Sequence, residues 1–150
     1  MHVLKLILIA LQVLQVAFLW VHDWVPLGSL NDVRAVRAAD SFGRLATITF
    51  IQSLPFTALL LLCVAYAEQS YPHWLVIALW VAYVALFIGQ LRAWWVPYLL
   101  RPEPARATRY GAMFGNTHSS LPARNGLVPN TAHIFLYVCT AATLVVLFAM

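Results

Sequence analysis

The sequence predicts an all-α, polytopic integral membrane protein in which four transmembrane helices form an antiparallel bundle. Hydrophobic residues make up 63% of the 150 residues and charged residues only 9%. The mean hydropathy is +0.81, and four long apolar runs alternate with gaps that hold most of the charge. This composition is far from that of a soluble protein and indicates a chain that belongs in lipid.

The four apolar runs cover approximately residues 3–25, 45–67, 74–96 and 131–150. Each is close to the ~20 residues with which a helix crosses ~30 Å of hydrocarbon. Because the backbone must satisfy its own hydrogen bonds inside lipid, runs of this length are expected to be helical. We therefore expect residues 1–150 to form a single four-helix transmembrane domain, with a loop of residues 97–130 between the third and fourth helices.

The first run has some features of a signal peptide, since Lys5 precedes an apolar stretch that contains Ala10 and Ala17. It is longer than the usual core of ~7 to 15 residues, and no clear small-x-small cleavage site precedes Trp20. We therefore expect the first helix to be retained.

The arginines predict an orientation. All eight lie in or beside the first and third gaps, and none lies in the second gap around Glu68. Because positive residues in short loops stay on the cytoplasmic side, loops 26–44 and 97–130 are expected to be cytoplasmic and both termini outside. The expected location is the plasma (inner) membrane, and membrane lipids are the first expected partners.

Two cysteines raise the question of a disulfide. Cys63 lies deep in the second run and Cys139 nearer the cytoplasmic start of the fourth. At 1.5 Å per residue their depths differ by roughly 15 Å, whereas a disulfide needs Cα atoms within ~7 Å. We expect both to be free, buried thiols.

The gap between the first two runs carries signals for a short helix. Pro26 and Gly28 break the first helix, and Ser29 with Asp32 has the spacing of a helix cap. A helix is therefore expected to restart near Leu30. It could lie at the interface, extend the second helix, or be a solvated turn.

Residues 97–130 form an unusually long connection for a compact protein. Residues 105–114 have the pattern of a short amphipathic helix that bears Arg109. The stretch that follows mixes polar side chains with turn formers and with apolar residues such as Leu121 and Leu127, unlike a disordered linker. We expect an ordered loop that folds back onto the bundle.

The start of the fourth helix predicts an anion-binding site. Asn130 and Thr131 have the character of an N-cap, and the free backbone N–H groups of a first turn favour an anion. Arg109 or Arg124 could add charge-assisted hydrogen bonds, and Asn116 and Asn130 are further candidate ligand-binding residues. Contact of the arginines with lipid headgroups is the structural alternative.

Three histidines also fall on the expected cytoplasmic side. His118 and His133 are candidate acid–base residues. Metal ligation by His22, Asp23, His118 and His133 is a weaker alternative, because no close histidine pair of a known metal motif occurs. The sequence identifies no cofactor.

Polar side chains inside the helices form a further candidate group. Gln15, Gln52, Gln90 and Tyr137 come from all four helices and lie at similar expected depths. They could line a polar cavity beneath the loop and bind a ligand, with Pro55 bending the second helix beside it. The structural alternative is that the glutamines join helices by hydrogen bonds.

One family resemblance rests on residues 49–56 (Thr-Phe-Ile-Gln-Ser-Leu-Pro-Phe), on Tyr83 and on the pair Leu91-Arg92. These segments faintly resemble the membrane-bound glutathione-transferase and eicosanoid enzyme family, whose chains also have four helices. That family usually carries Asn and Glu where Thr49 and Gln52 stand, and its loop before the fourth helix is shorter. These departures argue against glutathione binding, and the resemblance does not assign the chain to the family.

Three function classes follow from these observations. The favoured class binds an amphiphilic or anionic small molecule in a cytoplasm-facing polar site, in a protein that could be a membrane-embedded enzyme. An oligomeric transporter or channel lacks a carboxylate in mid-bilayer, since Asp23 and Glu68 lie at the ends of their runs. A structural or assembly subunit, including a homo-oligomer, remains open. Nucleic acid is not an expected partner, because topology explains the positive charge.

Overall fold

The computed structural model describes residues 2–150, and these residues are folded mainly as helices. Seven α-helices follow one another along the chain: α1 (His2–Val21), α2 (Val33–Ala39), α3 (Phe42–Ala65), α4 (His73–Gln90), α5 (Val96–Leu99), α6 (Pro104–Phe114) and α7 (Thr131–Phe148). A 3-10 turn covers Gly28–Leu30, and a π-helical turn, Leu91–Trp95, joins α4 to α5.

Within residues 2–150, four helices are long and apolar enough to cross a membrane. They are α1, α3, α7 and the continuous helix His73–Leu99, which consists of α4, the π-helical turn and α5. Large apolar side chains such as Phe148 and Val138 point outward from these helices and remain exposed. The prediction is confirmed in part: within residues 2–150 the protein is all-helical and has four helices long and apolar enough to span a membrane.

The four long helices form an antiparallel ring in the order α1, α3, α4, α7. The indole of Trp24, just after α1, donates to Thr49 near the start of α3, while Lys5 donates to the Ala67 and Gln69 carbonyls beyond the end of α3. Helices α1 and α3 therefore run in opposite directions. The same holds for the other neighbouring pairs, whose contacts include Phe56–Tyr83, Trp94–His133 and Gln15–Thr143.

The first long helix ends earlier than its apolar run. The N–H groups of Trp24 and Val25 both donate to the Val21 carbonyl, which closes a turn after α1. The Asn31 side chain then holds the turn by donating to the His22 and Val25 carbonyls. Hydrophobicity alone extends the run to Val25, but these hydrogen bonds stop the helix at Val21.

The short helix before α3 starts three residues later than the sequence predicts. Asp32 is its N-cap and accepts a hydrogen bond from the Ala35 N–H, so α2 begins at Val33. A helix does restart in this gap, but the α-helix begins at Val33 and not near Leu30, because Gly28 has a φ of +65° and Gly28–Leu30 forms only a single 3-10 turn. Ser41 caps α3 in the same manner, through the Arg44 N–H.

The segment between α6 and α7 is tied to the rest of the protein by hydrogen bonds. The His118 N–H donates to the Ser29 carbonyl at 2.7 Å. At the other end of the segment, Asn125 has a φ of +53° and donates from its side chain to the Pro97 and Tyr98 carbonyls. These bonds fix the segment against both the α1–α2 connection and the end of α5.

The interior of the bundle combines an apolar core with interhelical polar contacts. Leu8, Leu75 and Leu79 are fully buried. Cys63 and Cys139 are free and buried, as predicted. All eight arginines lie at the end of the bundle where α1 and α4 end and where α3 and α7 begin, while Lys5 lies at the opposite end.

Candidate functional site

A cleft of about 1040 Å³ opens between α3 and the part of the long helix His73–Leu99 around its π-helical turn, at the arginine-bearing end of the bundle. Helix α6 forms a third side. The turn after α1, the end of α2 and the first turn of α7 complete the lining. Its volume is at the upper end of the ~300–1,000 Å³ range that is usual for small-molecule pockets.

Helix α6 is positioned by an irregular turn near the end of the long helix His73–Leu99. Pro97 has no N–H and cannot donate to the preceding turn, and the helix widens into the π-helical turn Leu91–Trp95 just before it. The Arg92 and Ala93 carbonyls instead accept hydrogen bonds from Nη1 of Arg106, at 2.7 and 2.9 Å. A guanidinium group on α6 thus takes the place of the missing backbone donor and holds α6 against this helix.

A second contact holds the opposite side of α6. Asp40, at the end of α2, lies 2.7 Å from Arg109 Nη2 and 3.2 Å from Arg44 Nε. Its carboxylate is only 3% exposed, so two guanidinium groups compensate a charge that is shielded from water. One buried carboxylate therefore connects α2, α3 and α6 around the cleft.

The cleft carries more positive than negative side chains. Its lining includes Arg44, Arg92, Arg101, Arg106 and Arg109, together with Asp23, Asp40 and Glu103. Arg106 pairs with Glu103 at 3.1 Å, and Asp40 takes Arg44 and Arg109. Among residues 2–150, no carboxylate lies within ion-pair distance of Arg92 or Arg101. Both are exposed and available to an anion.

The inner end of the cleft is aromatic. The His133 ring lies 5.1 Å from the rings of both Trp94 and Phe114, and the Trp94 ring lies 4.5 Å from that of Tyr110. Burial raises the pKa of the Tyr110 hydroxyl, although Arg106 and Arg109 oppose the shift, so this phenol stays neutral and can donate a hydrogen bond. Apolar side chains of α3 and α6, including Leu45 and Met113, extend this surface.

His22 and Asp23 form a pair at the edge of the same region. His22 Nδ1 lies 2.9 Å from the Phe18 carbonyl, which can only accept, so Nδ1 carries a proton. Its Nε2 lies 3.4 Å from Asp23 Oδ2. Burial raises the pKa of Asp23, His22 lowers it, and the nearby Asp40 raises it further. The Asp23 carboxyl group therefore faces the ring nitrogen of His22 that is not bonded to Phe18.

Five of the residues singled out from the sequence line the cleft: His133, Arg109, Gln52, His22 and Asp23. The rings of His22 and His133 are perpendicular, with centroids 5.7 Å apart. These residues come from the turn after α1 and from α3, α6 and α7, and the fold brings them together from distant parts of the sequence.

Three other candidates lie in the bundle interior and not at the cleft. Gln15 donates to Thr143 at 2.8 Å, and Gln90 donates to Thr140 at 2.9 Å, so both glutamines join neighbouring helices to α7. Tyr137 is buried between the rings of Trp95 and His133. The geometry of the two glutamines is that of the structural alternative, in which amides link helices.

The remaining candidates lie on the connection before α7. His118, Asn116 and Arg124 are exposed, and His118 Nδ1 contacts Thr131 Oγ1 at 2.9 Å. Asn130 is buried and is the N-cap of α7, as predicted, through the N–H groups of Ala132 and His133. These two N–H groups are therefore engaged by the protein itself.

The four residues of the alternative metal site do not converge. His22, Asp23 and His133 line the cleft, whereas His118 does not line it and contacts Thr131 at the start of α7. In the part of the chain from His2 to Met150, no three side chains of His, Cys, Asp or Glu come together with the geometry to hold a metal ion.

Several cleft residues were not singled out from the sequence. Arg101 counted only as a topology signal, and Arg92 also as part of the family resemblance. Asp40, Trp94 and Tyr110 were not among the candidate site residues. Pro97 was the one available clue, since a proline near the end of a long helix frees carbonyls that another side chain must satisfy.

No protein-family model, curated protein or solved structure matches the chain in comparisons with known proteins.

Proposed function

We propose that this small membrane protein binds an amphiphile with an anionic headgroup in the cleft between α3, α4 and α6. The observation that carries the proposal is the combination of apolar and aromatic walls with two arginines, Arg92 and Arg101, that have no carboxylate partner in residues 2–150. Arg44, Arg106 and Arg109 are engaged by carboxylates and support the framework of the site.

The lining of the cleft offers groups for both parts of such a ligand. Leu45, Ile48 and Met113 offer an apolar surface to an alkyl or isoprenoid chain. Arg92 and Arg101 can donate charge-assisted hydrogen bonds to a carboxylate or phosphate group. Because α3 and the long helix His73–Leu99 line two sides of the cleft, we expect a lipid-like molecule to enter between them.

The proposed orientation has the arginine-bearing end in the cytoplasm and both termini outside, in the plasma (inner) membrane. The support is the position of all eight arginines at one end of the bundle, with the turn of residues 66–72 at the other. A C-terminal green fluorescent protein fusion should therefore be dark when the protein is exported to the membrane, and a C-terminal alkaline phosphatase fusion should be active. The reverse pattern would contradict this orientation.

The binding proposal is tested with dodecyl phosphate as the anionic probe and dodecanol as its neutral counterpart. In detergent solution, native mass spectrometry should detect dodecyl phosphate on the wild-type protein and much less dodecanol. The double variant R92A/R101A should lose about tenfold or more in affinity, since a charge-assisted hydrogen bond contributes ~1.5–3 kcal/mol.

The matched control is R34A/R124A, which removes two arginines that do not line the cleft. It should bind dodecyl phosphate as the wild type does. Equal losses of dodecyl phosphate affinity in the two double variants would indicate a general charge effect. If the wild type bound dodecanol as well as dodecyl phosphate, the anionic headgroup would not be recognised. Either result would overturn it.

A proton-transfer activity in the same cleft is the second candidate function. The observation that favours it is the His22–Asp23 pair at 3.4 Å, with the His133 ring 5.7 Å from that of His22. An imidazole held in this way can take a proton from water or from a bound substrate. The test is hydrolysis of p-nitrophenyl dodecanoate. Loss of this hydrolysis in both H22Q and H133Q would support the proposal, provided that both variants still bind dodecyl phosphate. Hydrolysis unchanged in these variants would exclude it for this probe.

A further inference from the structure

Polar atoms without a protein partner collect inside the membrane-spanning part of the bundle. Within residues 2–150, the buried side-chain atoms that make no hydrogen bond include both amide atoms of Gln12, Ser53 Oγ, Tyr83 Oη and Gln90 Oε1. The only other one is an oxygen of Asp40, which faces Arg44 in an ion pair. The unsatisfied atoms inside the bundle thus come from α1, α3 and α4.

Three of these residues lie near the middle of their helices. Gln12, Ser53 and Tyr83 each follow the start of their helix by ten or eleven residues, which is roughly 15 Å along the axis. All three are completely or almost completely buried. The Gln12 amide lies beside both the Tyr83 hydroxyl and the Cys63 thiol, in contacts that fall short of regular hydrogen-bond distance or angle.

The cluster adjoins the cleft. Gln52 and Gly89 line the cleft, and the next residue in each helix, Ser53 or Gln90, carries an unsatisfied atom in the bundle interior. Gln90 donates from Nε2 to Thr140, which leaves Oε1 as a free acceptor. The polar groups of Ser53 and Gln90 therefore belong to residues that directly follow residues of the cleft wall, and Tyr83 lies seven residues before Gln90 on the same face of α4.

A dry arrangement of these groups would be costly. An unsatisfied buried donor or acceptor costs ~1–3 kcal/mol, and the surrounding lipid offers no alternative partner. Five such atoms together would rival the whole stability of a small domain, which is ~5–15 kcal/mol. Buried water commonly satisfies groups of this kind, with each molecule making about two to four hydrogen bonds.

We propose that Gln12, Ser53, Tyr83 and Gln90 bind a cluster of internal water molecules that is continuous with the cleft. This hydrated recess extends to the middle of the membrane-spanning region. The Gln12 amide and the Tyr83 hydroxyl form its inner end, and Ser53 and Gln90 form its connection to the cleft. The inference does not depend on the identity of the ligand bound at Arg92 and Arg101.

Thiol accessibility in membranes tests the recess directly, because methanethiosulfonate reagents react with thiolates, which form in water. In a C63A/C139A background, S53C replaces a small polar side chain of the proposed recess. L79C is the matched control, since Leu79 is fully buried among apolar residues. Modification by methanethiosulfonate ethylammonium should be at least about tenfold faster in the S53C variant than in the L79C variant. Equal rates in the two variants would overturn the proposal.

Thermal unfolding of two further variants in detergent provides an independent test that requires no labelling. In a dry core, Y83F and S53A each remove an unsatisfied hydroxyl and should raise the melting temperature. In a hydrated recess, each removes a hydrogen bond to water and should lower the melting temperature or leave it unchanged. An increase in both variants would overturn the proposal, and any other result supports it.

Discussion

Asp40 and Arg109 form an ion pair that holds α6 against the end of α2, with Arg109 Nη2 2.7 Å from Asp40 Oδ2. The Asp40 side chain is 3% exposed, whereas the Arg109 side chain is 41% exposed. The pair therefore has one desolvated and one partly hydrated partner. Because α6 forms one side of the cleft, this contact links the shape of the site to the stability of the fold.

The first prediction concerns removal of this carboxylate. D40A should lower the free energy of unfolding by about 1–3 kcal/mol, because a short hydrogen bond between charged groups is lost. The partly exposed Arg109 and Arg44 can regain water, which keeps the loss below that of a fully buried pair. Chemical unfolding in detergent measures the change. The control variant E103A removes the partly exposed carboxylate that pairs with Arg106 and should change the free energy of unfolding by less than about 1 kcal/mol. Equal losses of stability in D40A and E103A would contradict the prediction.

The second prediction concerns Arg106 and Pro97. R106A should destabilise the protein in the wild-type background, because the Arg92 and Ala93 carbonyls lose their donor. P97A supplies a backbone N–H at this turn, so R106A should cost less in the P97A background. A double-mutant cycle should give a coupling of more than about 0.5 kcal/mol. Strict additivity would show that the Arg106 contacts do not compensate for the proline.

The sequence predicts the parts of this fold that depend on local chemistry. Four apolar runs of sufficient length are the four long helices, because a lipid-exposed helix needs hydrophobic residues over its whole length. The amphipathic pattern of residues 105–114 is confirmed as α6, and Asn130 as the cap of α7. Each of these signals comes from residues that are adjacent in the sequence.

The composition of the cleft could not be predicted in the same way. Asp40 and Arg109 are 69 residues apart, and their pairing depends on how α2 and α6 pack. Gln15 and Gln90 have the same residue type as Gln52, but which glutamine faces the cleft depends on the rotation of each helix. Arg92 and Arg101 have no local pattern that distinguishes them from topology signals, since only the packed structure identifies the arginines that have no carboxylate partner.

The third prediction separates two roles of Asn130. Its Oδ1 accepts from the Ala132 and His133 N–H groups, and its Nδ2 donates to the Leu30 carbonyl and to Thr117. N130A should lose both roles, whereas N130S should keep the cap and be more stable than N130A by about 1 kcal/mol. Both variants should be less stable than the wild type in thermal unfolding. The control variant N116A removes an exposed asparagine and should change the melting temperature little. Equal stability of N130S and N130A would argue against a capping role for Asn130.

The fourth prediction concerns the hydrogen bond between Gln90 and Thr140. T140V preserves the shape of the side chain but removes the hydroxyl that accepts from Gln90 Nε2 at 2.9 Å. The variant should lose about 0.6–2 kcal/mol, the range found for hydrogen bonds between membrane helices. T47V, at an exposed position of α3, is the control and should be neutral. If Q90L costs as much in the T140V background as in the wild type, the two residues do not interact energetically.

The fifth prediction concerns pH and Asp23. Burial raises the pKa of its carboxyl above the ordinary value of 3.8, so the folded state binds this proton more tightly than the unfolded state does. The contribution of Asp23 to stability is therefore fully present below 3.8 and is lost as the pH rises through the raised pKa. His22 and Asp40 are the charged groups that modulate this shift.

D23N cannot titrate and should lack this loss, so it should be more stable than the wild type at neutral pH. Unfolding curves of both proteins across the acidic range provide the measurement, and their difference isolates Asp23 because the other carboxyl groups titrate in both. A lower stability of D23N at neutral pH would mean that the ion pair with His22 outweighs desolvation of the carboxylate.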